Sequence, residues 1–394
     1  MDHLRGHLPA LDGLRGLAIA MVLVFHFVAQ ATVTSRAEAM SFGVLSYGLL
    51  GVDLFFVLSG FLITGILYDS RSEPGYFRSF YMRRALRIFP LYYGVLALVF
   101  FVVPLVPAAR GSEIAGLQDH QAWAWGYGIN VYLALQGGWV LSYIEHFWSL
   151  AVEEHFYLVW PLLVWWLAPR PRVLMRTALA ICAASVAIRV AASLSGVNSV
   201  ALTVLTPFQL DALCLGGFFA VFLRQPGGPA TARRLLVPMA LVAGAALVAD
   251  CAAHRATDLQ LPWTRALRSG MFRVLFAALL LQAVLAPETS PLARFLRRPA
   301  MGLLGRYSYG LYVYHHFLSY YFVTHGTEFA LARIVGSHLL AVILQAAGGI
   351  ALSLAVAWAS YEGFERHFLA LKRYWPASRR RAVVSRNEVV NACA

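Results

Sequence analysis

Apolar segments of about 20 residues recur along the whole chain, and each is long enough to cross a lipid bilayer as a helix. We place ten spans at about 14–33, 48–68, 88–108, 147–168, 174–195, 205–223, 235–252, 269–286, 307–324 and 334–361. Of the 394 residues, 60% are hydrophobic and 13% are charged, whereas soluble domains are about 25% charged. Helices satisfy their own backbone hydrogen bonds in lipid. The sequence therefore predicts an all-α polytopic membrane bundle.

The distribution of basic residues predicts how this bundle is oriented. With both termini in the cytoplasm, 24 of the 32 Lys and Arg residues fall on the cytoplasmic side and six fall outside. Cytoplasmic loops are expected to carry such an excess. An eleventh span at 121–136 would place the basic loops that follow it on the external side of the membrane, so we treat that segment as external or re-entrant. Basic residues on cytoplasmic loops therefore explain the net charge of +13, and we expect no nucleic-acid partner. We expect a membrane domain over 8–370 and a basic cytoplasmic tail over 371–394.

Two polar residues, Arg15 and His26, interrupt the first apolar segment. Eleven residues separate them, which is about three helical turns, so both are predicted to lie on one face of the helix. Arg15 would lie at the cytoplasmic entrance and His26 deeper in the membrane. Ionisable groups at that depth usually face a cavity or a pathway. From the spacing alone, an Arg that reaches the headgroups and a His bonded to a neighbouring helix explain the pattern equally well.

The third and fourth spans also carry ionisable residues. Arg84 and Arg87 share a helix face at the cytoplasmic edge of the third span, where paired guanidinium groups suit a phosphate ligand. Ordinary positive-inside charge is the alternative explanation. The fourth span opens with HFWSLAVEEHFYLVWP, which places Ser149 and Glu153 on one face and Glu154 beside them. Two consecutive carboxylates in an apolar span need polar partners, structural or functional.

Six motifs in order resemble the signatures of the membrane acyltransferase-3 family, whose members are integral membrane O-acyltransferases. They are LPALDGLRGLAIAMVLVFHF, GVDLFFVLSGFLIT, FYMRRALRIFPLYY, HFWSLAVEEHFYLVWP, GRYSYGLYVYHH and SYEGFERHF, and together they cover about residues 8–370. The last motif has His367 where proline is usual, which affects only the local turn. The resemblance implies transfer of an acyl group, most readily acetyl, from cytoplasmic acyl-CoA to a hydroxyl group. The acceptor would be a sugar, a cell-surface glycan or a glycosylated natural product such as an antibiotic.

The resemblance matches individual residues to family positions, and the chemistry of their side chains suggests their roles. His26 would be the general base, and Glu153 would orient His26 or the acceptor. Arg15, Arg84 and Arg87 would bind the acyl-CoA. Possible supporting residues are His146, Ser149, Glu154, His315, Glu365 and Asp53. We expect no metal ion, and we expect the protein in the plasma (inner) membrane of a bacterium.

The chemistry of these residues fits such a transfer, because a neutral imidazole is an effective general base near pH 7. An acyl-His26 intermediate is a variant of the same reaction. Longer members of the family carry a periplasmic hydrolase-like domain, for which we expect no room after residue 376.

Two other classes of membrane protein stay open. A transporter or flippase would show inverted repeats and broken helices, which we do not find in the sequence. A polymerase or ligase of lipid-linked glycans usually needs a large external loop, and the only sizeable one here is 109–146. Release of coenzyme A would separate an acyltransferase from both classes.

Overall fold

The computed structural model describes residues 8–106, 113–257 and 262–375, and it describes side chains within these ranges except at 114–115 and 250–266. The described residues form helices and no strand, which confirms the all-α prediction. The α-helices are α1 Pro9–Val24, α2 Arg36–Leu45, α3 Gly51–Ser70, α4 Tyr76–Ala97, α5 Glu113–Gly116, α6 Gln121–Trp125, α7 Ile129–Gln136, α8 Trp148–Leu167, α9 Pro171–Leu194, α10 Ser199–Val204, α11 Leu210–Phe222, α12 Gly228–Thr257, α13 Pro262–Leu285, α14 Pro291–Leu296, α15 Pro299–Thr324, α16 Thr327–Val335, α17 His338–Ser360 and α18 Arg366–Ala370. The predicted tail beyond residue 375 lies outside the described residues.

Seven helices in the described part of the chain are long and apolar enough to cross a membrane. Each of the ten predicted spans coincides with a helix, but α8 and α15 carry several polar side chains and α11 is short. The count of ten spans and the side of the termini therefore stay predictions. The segment 121–136 forms α6 and α7, of 5 and 8 residues, which are too short to span a bilayer.

Glycine contacts bring α1 and α15 close together. A Cβ atom at Gly16 would clash with the backbone of Met301, and one at Gly305 would clash with the backbone of Asp12. Gly60 and Gly216 allow the same close approach between α3 and α11. Small residues allow this close approach of helices in membranes, where packing rather than the hydrophobic effect drives association.

A buried ion network joins α3, α9, α11 and α13. Arg189 forms a bidentate pair with Asp211, at 3.1 and 3.0 Å. Arg273 also pairs with Asp211, and its Nε donates to Asp53 Oδ1 at 2.6 Å. Both arginines donate to the carbonyl oxygen of Phe208. Asp53, which the sequence motif suggested as site support, therefore has a structural partner in this network.

Two of the three π-helical segments in the described part of the chain contain predicted site residues. The first, Phe25–Ala29, follows α1 and contains His26. The second, Tyr361–Glu365, follows α17 and contains Glu365. A π-helical turn has more residues than an α-helical turn, so it rotates the side chains that follow it, and such turns are frequent at functional sites. The α-helical spacing that predicts Arg15 and His26 on one face therefore does not extend as far as His26, which lies in the π-helical segment.

Candidate active site

A cavity of about 100 Å³ lies between α1, α3, α4, α8 and α15. Three predicted cofactor-binding residues, Arg15, Arg84 and Arg87, line it together with Glu153 and Glu154. Ser59, Ser149, Tyr157, Ser308, Tyr309 and Tyr312 add hydroxyl groups, and the remaining lining is apolar. A concave, mostly apolar wall with a few polar groups is typical of small-molecule sites.

Positive charge converges at one end of this cavity. We call the basic end the part of the bundle that carries Arg15, Arg83, Arg84, Arg87 and Lys372; electrostatic interactions connect Lys372 with the other four. Arg83 donates to the carbonyl oxygens of Lys372 at 3.4 Å and Trp375 at 3.1 Å. These bonds hold the segment that follows α18 beside α4. The basic end is the side that the charge distribution predicts to be cytoplasmic.

The carboxylates of α8 lie in the same cavity as the arginines. Glu153 hydrogen-bonds Ser59 and Tyr157, and it interacts electrostatically with Arg84 and Arg15. Arg84 also stacks on the ring of Tyr157, with 5.3 Å between its guanidinium carbon and the ring centroid. These contacts place Glu153 with the predicted cofactor-binding residues.

His26 is absent from the residues that line this cavity. Ser149 and Tyr312 line it and are hydrogen-bonded to each other, and the Tyr312 hydroxyl donates to the carbonyl oxygen of His146 at 2.9 Å. This Ser149–Tyr312 pair therefore lies between the cavity and the histidines behind it. The sequence predicted one continuous path from Arg15 to His26, and the structure divides that path into two parts.

Four buried histidines meet behind the Ser149–Tyr312 pair, and we call His26, His146, His315 and His316 the histidine cluster. The ring centroid of His26 lies 4.8 Å from that of His315 and 5.1 Å from that of His316. The ring of His146 lies 4.7 Å from that of His316 and 5.5 Å from that of His315. Ligand nitrogens of His26, His315 and His316 all lie within 4.8 Å of one another, a spacing that could also hold a metal ion.

Backbone carbonyls determine which nitrogen of His26 carries the proton in the neutral ring. His26 Nδ1 lies 3.0 Å from the carbonyl oxygen of Val22 and 3.3 Å from His315 Nε2. His315 Nδ1 lies 3.0 Å from the carbonyl oxygen of Leu311 and 2.8 Å from that of Tyr312. Because a carbonyl oxygen only accepts, each Nδ1 carries hydrogen. His315 Nε2 then accepts from His26, and the lone pair of His26 is on Nε2.

The other two histidines have the opposite tautomer. His146 Nε2 lies 3.2 Å from the carbonyl oxygen of Val313, and His316 Nε2 lies 3.3 Å from that of Ser142, so each Nε2 carries hydrogen. The Nδ1 atoms of His146 and His316 are buried and have no hydrogen-bond partner among the described residues. The histidine cluster therefore contains two buried Nδ1 atoms whose lone pairs accept no hydrogen bond from the described residues.

Glu365 lines a second, much smaller cavity of about 10 Å³, which Arg87 and Arg306 also line. Its Oε1 accepts a hydrogen bond from Ser360 at 3.1 Å. Arg87 lines both cavities, so the charge of Glu365 acts on Arg87 from the side opposite the main cavity.

Sequence reasoning did not single out Lys372, Tyr312 or His316. Lys372 belongs to a segment that reads as an ordinary basic tail, and only its position beside α4 places it at the cavity. Tyr312 and His316 belong to a motif that an aromatic belt explains well. The available signal was the spacing of four residues between Tyr312 and His316 on α15, which places both on the same side of the helix, next to His315.

Comparison with known proteins gives the same family as the motifs. The sequence model of a protein family described as an acyltransferase domain matches residues 8–362 of this chain. The O-acetyltransferase OatA of Staphylococcus aureus (strain NCTC 8325 / PS 47) is 28% identical over 333 residues, which are 80% of this chain and 52% of that protein. The peptidoglycan O-acetyltransferase OatA of Listeria monocytogenes is 34% identical over 164 residues, 40% of this chain and 24% of that protein. The putative peptidoglycan O-acetyltransferase YrhL of Bacillus subtilis is 34% identical over 163 residues, 40% of this chain and 23% of that protein.

The chain therefore spans about half of the Staphylococcus relative and about a quarter of the other two. No solved structure matches the chain.

Proposed function

The chain belongs to the acyltransferase-3 family, and from this premise we propose that it transfers an acetyl group from acetyl-CoA to a hydroxyl of a cell-surface glycan. The observation that carries the proposal is the arrangement of a cavity with a basic end next to a buried imidazole whose Nε2 is free to accept a proton. The names of the relatives support acetyl as the group and a glycan as the acceptor.

The donor would enter the cavity from the basic end. Arg15, Arg84 and Arg87 would bind the phosphates of coenzyme A, because guanidinium groups hold phosphate oxygens bidentately. Burial and the neighbouring arginines lower the pKa of Lys372 from 10.5 to about 7, and the phosphates of the donor would offset that effect and make Lys372 a further cation at the same end. The thioester would then extend toward Ser149 and Tyr312, away from the phosphates.

His26 would act as the general base. Its Nε2 takes the proton of the acceptor hydroxyl while the hydroxyl oxygen attacks the carbonyl carbon of the thioester, and the thiolate of coenzyme A leaves. His315 would keep His26 in the required tautomer, since its Nε2 accepts from His26 Nδ1 at 3.3 Å. Glu153 would stabilise the arginines and the bound donor rather than orient His26, because its partners are Ser59 and Tyr157.

The Ser149–Tyr312 pair would have to open for the thioester and His26 to meet. Both hydroxyls lie where the carbonyl oxygen of the thioester would arrive, and once separated they could donate to the oxyanion of the tetrahedral intermediate. The donor would thus replace one hydrogen bond of the pair with a bond that strengthens in the transition state.

The test is release of free coenzyme A thiol by purified protein in detergent, supplied with acetyl-CoA and an oligosaccharide of β-1,4-linked N-acetylglucosamine. We expect His26→Ala to lower the rate by about 10²-fold or more, the usual contribution of a general base. His325→Ala, at the exposed end of α15, is the matched control and should leave the rate unchanged.

Three results would contradict the proposal. Wild-type protein that binds acetyl-CoA but releases no thiol would indicate a transporter or a glycan polymerase. Full activity of His26→Ala in correctly folded protein would remove the base assignment. Loss of activity on chelation, with restoration by one metal ion, would replace base catalysis with a metal held by the histidine cluster.

A further inference from the structure

We propose that His316 and Glu145 carry the proton of the acceptor hydroxyl from His26 to the face of the bundle opposite the basic end. The inference rests on the proposed function, in which His26 removes that proton. It adds two proton-transfer residues and a direction of proton release to the reaction.

His316 has the atom that can receive the proton. Its Nδ1 is buried without a hydrogen-bond partner among the described residues, although a polar atom in a dry environment normally has one. The rings of His26 and His316 lie edge to face with 5.1 Å between their centroids. His315 is closer to His26, but the free lone pair of His315 already accepts from His26 Nδ1. Of the two histidine rings that contact His26 in the described part of the chain, His316 is therefore the one with an unused lone pair.

Glu145 provides the next position along the path. Its Oε1 lies 3.7 Å from His316 Nε2, the nitrogen that carries hydrogen, so a small movement would bring them into hydrogen-bond contact. Its Oε2 is buried and has no hydrogen-bond partner in the described part of the chain. The side chain is 14% exposed, compared with 4% for His316, so the path runs from a dry cluster toward solvent.

The position of Glu145 sets the direction of release. It belongs to the 3₁₀ segment Ser142–Phe147, which precedes α8. The other end of α8 lies at the basic end, because Tyr76 at the start of α4 donates to the carbonyl oxygen of Pro161. Glu145 is therefore at the opposite face.

The route back to the cavity is already occupied. The hydroxyls of Ser149 and Tyr312 bond each other, and that of Tyr312 also bonds the carbonyl oxygen of His146. During the transfer the two hydroxyls are bonded to the oxyanion, and once the pair closes again neither hydroxyl connects His26 with the water of the cavity. A proton on His26 thus leaves more readily through His316 than through the Ser149–Tyr312 pair.

The atoms and charges balance as follows. The C–O bond of the ester forms, the C–S bond of the thioester breaks, and His26 Nε2 takes the hydroxyl proton. That proton passes to His316 Nδ1 while His316 gives up its Nε2 proton to Glu145, which releases it to solvent. Rotation of the His316 ring then turns the free Nε2 toward His26 and the Nδ1–H toward Glu145, so the two ring nitrogens exchange roles in the next turnover. The thiolate of coenzyme A takes a proton from the water at the basic end. Each turnover consumes one proton at the basic end and releases one at the opposite face.

The environment of Glu145 suits this role near neutral pH. Burial raises the pKa of Glu145 from 4.5 to about 7, so the carboxylate can accept and release a proton there. The groups that face it are His316 and Tyr320 on α15, with Glu113 on α5 bonded to Tyr320 at 2.8 Å. Tyr143 and His146 lie on its own segment.

The experiment uses proteoliposomes of the full chain with the pH dye pyranine trapped inside, and with potassium and valinomycin to keep the membrane potential near zero. Acetyl-CoA added outside reaches only molecules whose basic end faces outward, and the N-acetylglucosamine oligosaccharide is present on both sides. We expect the lumen to acidify by one proton for each coenzyme A thiol released outside. Thiol release without acidification of the lumen would overturn the proton path and leave the proposed function intact, whereas no thiol release at all would be a failure of the proposed function.

Variants identify the residues in the path. Glu145→Gln and His316→Asn should each lower kcat about tenfold or more while KM for acetyl-CoA stays within twofold, because neither residue contacts the donor. Glu145→Asp should recover part of the rate, and the rise of kcat as the lumenal pH passes through about 7 should be lost in Glu145→Gln. Glu113→Gln, an exposed carboxylate on the same face, is the matched control. Unchanged kcat and acidification in Glu145→Gln would refute the assignment of that residue.

Discussion

A substitution at Asp53 can distinguish a structural from a functional role for this residue of the motif GVDLFFVLSGFLIT. Asp53→Asn removes one charge of a buried pair in which Arg273 Nε and Asp53 Oδ1 are 2.6 Å apart, with side chains 4% and 15% exposed. Loss of one partner of such a pair costs about 3–5 kcal/mol. We expect a loss of about 3 kcal/mol in the free energy of unfolding, since Asn keeps an acceptor oxygen and Arg273 keeps Asp211.

The assay is denaturant unfolding of purified protein in detergent micelles, together with thiol release per folded molecule. Asp69→Asn is the matched control, because Asp69 forms a comparable bidentate pair with Arg224, at 2.7 and 2.9 Å, in a more exposed position. That pair should be worth about 1 kcal/mol or less. Asp53→Asn protein with normal stability and strongly reduced kcat would refute the structural interpretation and place Asp53 in the chemistry.

Three further predictions follow from the geometry. Lys372→Glu should raise KM for acetyl-CoA about tenfold at nearly unchanged kcat, because a cation that binds phosphate is worth about 1.5–3 kcal/mol; an unchanged KM would exclude it from the donor site. Gly305→Val should lower both folded yield and activity, since its Cβ would clash with the backbone of Asp12, whereas Gly302→Val has open space and should be tolerated. Burial raises the pKa of Glu145 from 4.5 to about 7, so its contribution to stability is full below pH 4.5 and is lost as the pH rises past 7. Denaturant unfolding should therefore show that the free energy of unfolding falls less between pH 5 and pH 8 in Glu145→Gln than in the wild type.

The sequence predicted the helices well, and it predicted their ends less well. Hydropathy located the apolar centre of each span, because about 20 apolar residues in a row have few other uses. It placed the start of α4 too late, since the first turns of that helix carry Arg78, Arg83 and Arg84. It also could not foresee the π-helical turn at His26, because the extra residue in such a turn is set by packing against neighbouring helices.

The sequence motifs suggested candidate site residues, and the tertiary structure shows which of them lie together. Arg15, Arg84, Arg87 and Glu153 line one cavity. His26 is instead grouped with histidines from α15 and from the segment before α8. Residues hundreds of positions apart have no periodicity in common, so a single sequence contains no signal for such a meeting.

The sequence by itself determined that the chain is a helical membrane protein of a known acyltransferase family with a predicted cytoplasmic basic side. Those properties follow from local quantities, namely apolar length, charge on loops and short ordered motifs, which the bilayer converts directly into structure. Only the tertiary structure decided that Asp53 belongs to an ion network, that Ser149 and Tyr312 separate the cavity from His26, and that Glu145 stands behind His316. These relations depend on how helices pack against each other, and packing is set by side-chain shape and glycine contacts across many turns at once.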